Sequence, residues 1–502
     1  MGRIDVAFET YPTTHEPTRM CGIASAPTSE IPLLRLTFGL VIAVILACEL
    51  FAAIHARGLH GDGAPLLVAV YERQAFFLPM LGTRTVVEIL RQTPIVMLSK
   101  YTHATLIQCG RFHTFVMLAL PTLLCALCWL FAPQEYRRWA LFPLAALLIG
   151  FAATSFHAVG EAAIATGYFW ILLFLLLFKV WSIRAQLLFL LFCIPAFWLH
   201  EGTFVLTTLL LASLISRVHA AIGSRSERLF VGAAFLLLAA ILGYQISWII
   251  HPQFPGDRTN AIQGLMQFEF LHADHRFNLP LMTGGLALLA LSAVSFVHAV
   301  ISTEKAARFA SGVLFTWLLV ALAAIAAAIT IDATVAPLAQ TRARYHPAIV
   351  SAALGVAMIV PKRLRLPDSI WNNTKTLLVL ISLCAAQATA DVIATRQWKT
   401  YVADLQATLV TERGLIPWET RLSVANRHAA IDWTVFEFTW TVPYMCIIFA
   451  PKGVVNAIID LPKDLTFRLL DPELPDSLPK LNGIDYAPYQ RYLAAQAFVR
   501  KP

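Results

Sequence analysis

Carboxylates, imidazoles and guanidiniums move protons and hold phosphate, and in this chain they gather where apolar runs end. Asp62 lies in His60-Gly61-Asp62-Gly63, just after the first apolar run, and Glu72 and Arg73 follow ten residues later. His157 and Glu161 share one tight turn, and His200 and Glu201 occupy another. Asp257 and Arg258 open a longer loop that closes with His272, Asp274 and His275. Asp332, Arg342, Arg344, Tyr345 and His346 stand before a late apolar run. Taken singly, a His or Glu at a helix end simply faces interfacial water. As a set, these groups point to a shared polar cavity. It would offer an acid/base carboxylate, an Arg pair for an anion, and carboxylate and imidazole ligands for a divalent metal ion. No tight spacing such as HExxH occurs, so a metal stays unassigned and no other cofactor is indicated.

The elements that must position these groups follow from composition. Of 502 residues, 58% are hydrophobic and 14% charged, whereas soluble domains carry about 25% charge and 45–50% apolar residues. An excess of this size, sustained over long runs, means a bilayer rather than a large core. Residues 1–31 are polar, with Asp5, Glu9, Glu16 and Arg19. They lack the charged, apolar, small-residue order of a cleaved signal, so the first helix is expected to remain as an anchor. The net charge of +8 reflects Lys and Arg in cytoplasmic loops. Nucleic-acid binding is not expected, since no basic-aromatic patch or zinc spacing supports it. Cys125 and Cys128 form a CxxC inside an apolar run, where packing is the expected role, because a redox motif needs a βαβ setting.

Apolar runs at 34–54, 115–132, 139–156, 168–180, 187–198, 203–215, 229–250, 279–301, 313–330, 348–360 and 377–394 predict about eleven transmembrane helices. Several fall short of the roughly 20 residues a straight span needs, and the fourth to sixth can be broken or tilted. The loops after the even-numbered runs hold thirteen basic residues and four acidic ones. The short loops on the other side hold only Arg258, Arg276, Arg342 and Arg344. The positive-inside rule then places the N-terminus in the cytoplasm and the C-terminal tail outside. The expected fold is an all-α polytopic membrane protein with a small α+β extracytoplasmic domain. Residues 1–33 are the cytoplasmic segment, 34–394 the membrane domain with a large first outer loop at 55–113, and 395–502 the outer domain. Within that loop, 64–71 and 85–98 are semi-apolar and interrupted by Arg84, Glu88 and Arg91, a pattern of interfacial helices. In the tail, 433–448 is rich in β-branched and aromatic residues and predicts strands.

This arrangement resembles the GT-C superfamily of integral membrane glycosyltransferases that use polyprenyl-phosphate sugars. Members have a cytoplasmic N-terminus and a large first outer loop with an acidic catalytic residue shortly after the first helix. Gly61-Asp62-Gly63 occupies that place, and 64–98 matches the interfacial helices. Arg344-Tyr345-His346-Pro347 matches an Arg-Tyr pair, followed closely by Pro, at the start of a late helix. Many members end in an outer soluble domain, as 395–502 would. Many also carry adjacent acids in the first loop, whereas Asp62 stands alone until Glu72. The resemblance implies a sugar donor on a polyprenyl phosphate, with membrane lipids as surroundings. It implies Asp62 as general base, with Glu72 as the other first-loop acid, and Arg342, Arg344, Tyr345 and Arg258 around the donor phosphate. His157, Glu161, His200 and Glu201 would line the cleft. A bacterial inner membrane is the expected location.

Other readings stay open at this point. A polymerase or ligase of lipid-linked glycans would use outer Arg and His residues and tolerate Asn at Asp62. A secondary transporter would place polar groups near the midplane on broken helices. A scaffold would bind through its tail alone.

Overall fold

The computed structural model describes residues 30–60, 63–77, 82, 84–152, 161–178, 183–221, 225–251, 348, 350–352, 354, 355, 358, 374–411, 415–417, 441–450 and 457–459. These residues are overwhelmingly helical. In order, the helices are α1 (Glu30–Ile54), α2 (Gly63–Arg73), α3 (Thr85–Tyr101), α4 (Leu106–Phe131), α5 (Leu141–Ala146) and α6 (Glu161–Phe178). They continue as α7 (Ile183–Cys193), α8 (Phe204–Ala221), α9 (Arg225–Ile250), α10 (Thr374–Thr411) and α11 (Val442–Phe449). Two three-residue strands, β1 (Leu415–Pro417) and β2 (Ala457–Ile459), pair in parallel.

Among the described residues, four helices are long and apolar enough to cross a membrane: Pro32–Ile54 of α1, α4, α6, and Glu227–Ile250 of α9. They bear out the first, second, fourth and seventh apolar runs. α6 is central, with 83% of its span buried against 28% for α9. It is apolar on all sides, as a helix surrounded by others must be. Gly167 lets it close on α4, since a Cβ there would lie 2.9 Å from the Leu124 Cβ. Trp170 is fully buried and donates through its indole N–H to the Ser351 hydroxyl at 3.2 Å.

Several boundaries differ from the sequence expectation, each for a local reason. α4 begins at Leu106 because Thr105 and Gln108 form a reciprocal capping box. The run at 139–156 is not one helix over its described part. It opens as a 3-10 turn (Gln134–Ala140), passes through α5, and continues as a π-helical turn, Leu147–Ala152. The fifth run breaks where Pro195 enters, and α7 gives way to a 3-10 turn at Ile194–Trp198. α10 runs straight through the boundary expected at Thr395 and reaches Thr411. In the tail, Val442–Phe449 is helix rather than strand, started by Pro443 in its first turn. The runs at 279–301 and 313–330, and most of 348–360, lie outside the described residues.

A second core stands apart from the main one. It joins Leu59, Leu67, Val70 and Ile95 of the first loop to Trp398, Tyr401 and Leu405 of α10 and to Met445 of α11. The Trp398 indole N–H donates to the His55 carbonyl at 2.9 Å. The first loop and the continuation of α10 therefore form one unit at one end of the bundle.

Candidate functional site

The first-loop helix α3 is built inside out. Arg84 stands just before its first residue, and Glu88, Arg91 and Gln92 follow at helical spacing, so all four share one face. That face is buried. The opposite face carries Ile89, Leu90 and Met97, all exposed. A water-facing amphipathic helix shows the reverse. An apolar outer face is what a helix lying at the headgroup boundary presents to lipid.

The buried face makes a chain of alternating charges. Glu201 takes both the Arg84 Nε, at 3.0 Å, and the Arg84 Nη2. The remaining amine of Arg84 donates to Glu161 Oε2 at 3.2 Å. The other Glu161 oxygen pairs with Arg91 Nη1 at 2.8 Å. Arg91 grips Glu88 through its Nε at 2.7 Å and its Nη2. Gln92 closes the line, donating to Glu88 at 2.6 Å and exchanging two hydrogen bonds with the Phe77 backbone. The guanidinium fork suits this work because it can hold a carboxylate with two parallel bonds.

Each partner is fixed by its element. Glu161 is the first residue of α6, where the helix dipole favours a negative charge. Glu201 opens a 3-10 turn capped by His200, whose Nδ1 accepts the Gly202 N–H at 2.9 Å. Burial would raise the Glu201 carboxyl, but the Arg84 guanidinium outweighs it and holds it well below the usual range. Burial works against the Arg84 charge too, yet Glu201 and Glu161 keep it firmly protonated. Glu88 is shifted the other way: burial raises its carboxyl, Arg91 only partly offsets this, and it rises to about 7.

Of the sequence-predicted site residues, Glu161, His200 and Glu201 come together here. Asp62, His157, Arg258, Arg342, Arg344 and Tyr345 lie outside the described residues, as does the Glu72 side chain, whose backbone sits in the last turn of α2. Arg84, Glu88 and Arg91 were legible only as interruptions of an apolar stretch. Their periodic spacing was the signal that could have marked them as one face.

The backbone on both sides of Asp62 is closely held. Arg57 pairs with Asp391 of α10 at 2.8 Å and donates to the Asp391 carbonyl at 3.1 Å and the Thr395 hydroxyl at 3.0 Å. His60 is buried edge-on to the Trp398 ring, 5.9 Å between centroids. Gly63 meets the Gly58 carbonyl so closely that a Cβ would lie 2.1 Å from its oxygen.

A divalent metal does not fit the charge chain, because its carboxylates are already held by guanidiniums that would repel a cation. Among the described residues, no group of three His, Cys, Asp or Glu converges as a metal site requires. Comparison with known protein families, curated proteins and solved structures finds no match to this chain.

Proposed function

We propose that this chain is an integral membrane glycosyltransferase that moves a sugar from a polyprenyl-phosphate donor to an acceptor at the outer face of the membrane. On this reading it has about eleven spans, a cytoplasmic N-terminus and an α+β tail domain outside a bacterial inner membrane. Asp62 removes the acceptor hydroxyl proton as that oxygen attacks the anomeric carbon. The bond from the anomeric carbon to the phosphate oxygen breaks, and the polyprenyl phosphate leaves with the bonding pair. Arg342 and Arg344, with Tyr345 and Arg258 near them, balance that charge. A positioned base contributes about 10²–10⁴-fold.

The observation that carries this reading is the clamping of the chain around Asp62. Arg57 is tied to α10, His60 is buried against Trp398, and Gly63 is pressed on Gly58. A general base works only when held in place by rigid surroundings. The charge chain of Arg84, Glu161, Arg91 and Glu88 supports the reading by pinning the first-loop helix to the turns that carry Glu161 and Glu201. Those two acids then shape the cleft wall with His200, rather than act on substrate, and His157 is assigned to the same wall from its place in the sequence.

The test uses the full chain in proteoliposomes with polyprenyl phosphates carrying single radiolabelled hexoses, and with a cell-envelope lipid and glycan extract as the source of acceptor hydroxyls. The reading expects release of polyprenyl phosphate by wild type and a loss of at least about a hundredfold in folded Asp62→Asn. Release unchanged in Asp62→Asn would refute it.

A secondary transporter is the second reading, favoured by one observation. Glu49 of α1 is buried within a membrane-spanning helix, and it shares a cleft with Gln387 and Asp391 of α10. Charges at that depth mark ion pathways in transporters.

A further inference from the structure

We propose that the cleft between α1, α4 and α10 binds a monovalent cation. Its cavity volume is about 20 Å³, room for one ion or water, and its polar lining is Glu49, Arg57, Gln387 and Asp391, with the Cys48 and Cys384 thiols beside them. One Glu49 oxygen accepts from the Thr122 hydroxyl at 2.5 Å. The other, Oε2, is buried with no hydrogen-bond partner among the described residues, and so is the Gln387 Oε1. Glu49 is 4% exposed and Gln387 5%. Both orphaned atoms are acceptors, on two different helices, lining one cleft. A buried acceptor left unmatched costs about 1–3 kcal/mol, and more when charged, so two of them facing one space call for a positive or donating occupant.

Charge fixes the valence. A cation entering the cleft takes the place of a proton on Glu49. With Glu49 then ionised, Glu49 and Asp391 carry two negative charges and Arg57, held by Asp391 and Thr395, one positive charge. One negative charge remains. A single positive charge balances it, whereas a divalent ion would leave an excess charge at membrane depth, where charges are costly. Carboxylate and amide oxygens are hard ligands suited to such ions rather than to soft metals. The site stands whether or not the chain transfers sugars, because its two unmatched acceptors, on Glu49 and Gln387, take no part in that chemistry, and Arg57, which also braces the residues before Asp62, is the one group the two share.

The test is thermal unfolding of the full chain in detergent, followed by tryptophan fluorescence at constant ionic strength. The salts are sodium, potassium and methylammonium chloride, with choline chloride as the bulky control. A ligand that binds only the folded state raises Tm with concentration. The expected result is a saturable rise with at least one small cation over choline. Sodium or potassium identifies an alkali ion, and methylammonium alone identifies an ammonium group. The rise is lost in Glu49→Gln. In Gln387→Leu the midpoint concentration climbs about tenfold, as for losing one ligand worth about 1.4 kcal/mol. Equal melting in all four salts overturns the proposal, as does the same rise in Glu49→Gln. Should Glu49→Gln fail to fold, an unchanged midpoint in Gln387→Leu overturns it.

Discussion

Beside Arg91, the buried Glu88 carboxyl sets how this end of the bundle responds to pH. Glu88 is the innermost of the three acids, and burial raises its carboxyl from 4.5 to about 7. A folded-state value above the unfolded one means the native state holds the proton more tightly. The corresponding stability is complete below about pH 4.5 and is lost as pH rises to about 7. Thermal melts should therefore show wild-type Tm falling across that window relative to Glu88→Gln, with parallel curves above it. Curves that stay parallel throughout would show that Glu88 is already ionised. None of this pairing could be read from the sequence. Arg84, Glu88 and Arg91 are visible there as three charges, but Glu161 and Glu201 reach them only because α6 and the turn before α8 end at the same place. Glu49 was missed for a different reason. One acid in an otherwise apolar run barely alters its hydropathy, although a lone carboxylate at that depth is itself a functional signal.

At the scale of elements, glycines show which contacts are obligatory. Gly63 begins α2 with its α-carbon against the Gly58 carbonyl, whereas Gly39 on α1 has nothing within 4 Å. Gly63→Ala must displace backbone, not a flexible side-chain tip, and is expected to cost about 2 kcal/mol or more, in the range of strained substitutions. Gly39→Ala is expected to be neutral or stabilising by up to about 1 kcal/mol from helix propensity. Melting curves of the two variants check this, and equal Tm values would count against the close approach. The helices themselves were legible where an apolar run was long, as for α1, α4, α6 and α9, although α4 and α6 begin at Leu106 and Glu161, ahead of the runs expected from 115 and 168. They were less legible where packing overrode composition. Residues 139–152 bend through 3-10 and π turns within a buried layer, and Val442–Phe449 folds as a helix despite its β-branched and aromatic neighbours because it packs on Trp398 and its surroundings.

For the whole molecule, the important contact is between distant parts of the chain. First-loop residues and the continuation of α10 share a core, so the segment bearing Asp62 is framed by the two ends of the described fold. The sequence reading ended the last span at 394 and began a separate domain there. Hydropathy falls at that point, but the helix continues, since Trp398, Tyr401, Leu405 and Leu409 repeat at helical spacing and all are buried. That continuity ties the last helix to Arg57 and His60, the described residues that precede Asp62 in the chain. The most direct measurement of the central claim is glycan and glycolipid analysis by mass spectrometry in a host lacking this protein. The host would be complemented with wild type or with Asp62→Asn shown by detergent gel filtration to be folded. The account predicts a glycosylated product that wild type restores and Asp62→Asn does not. Full restoration by Asp62→Asn would contradict it and move the transporter reading ahead.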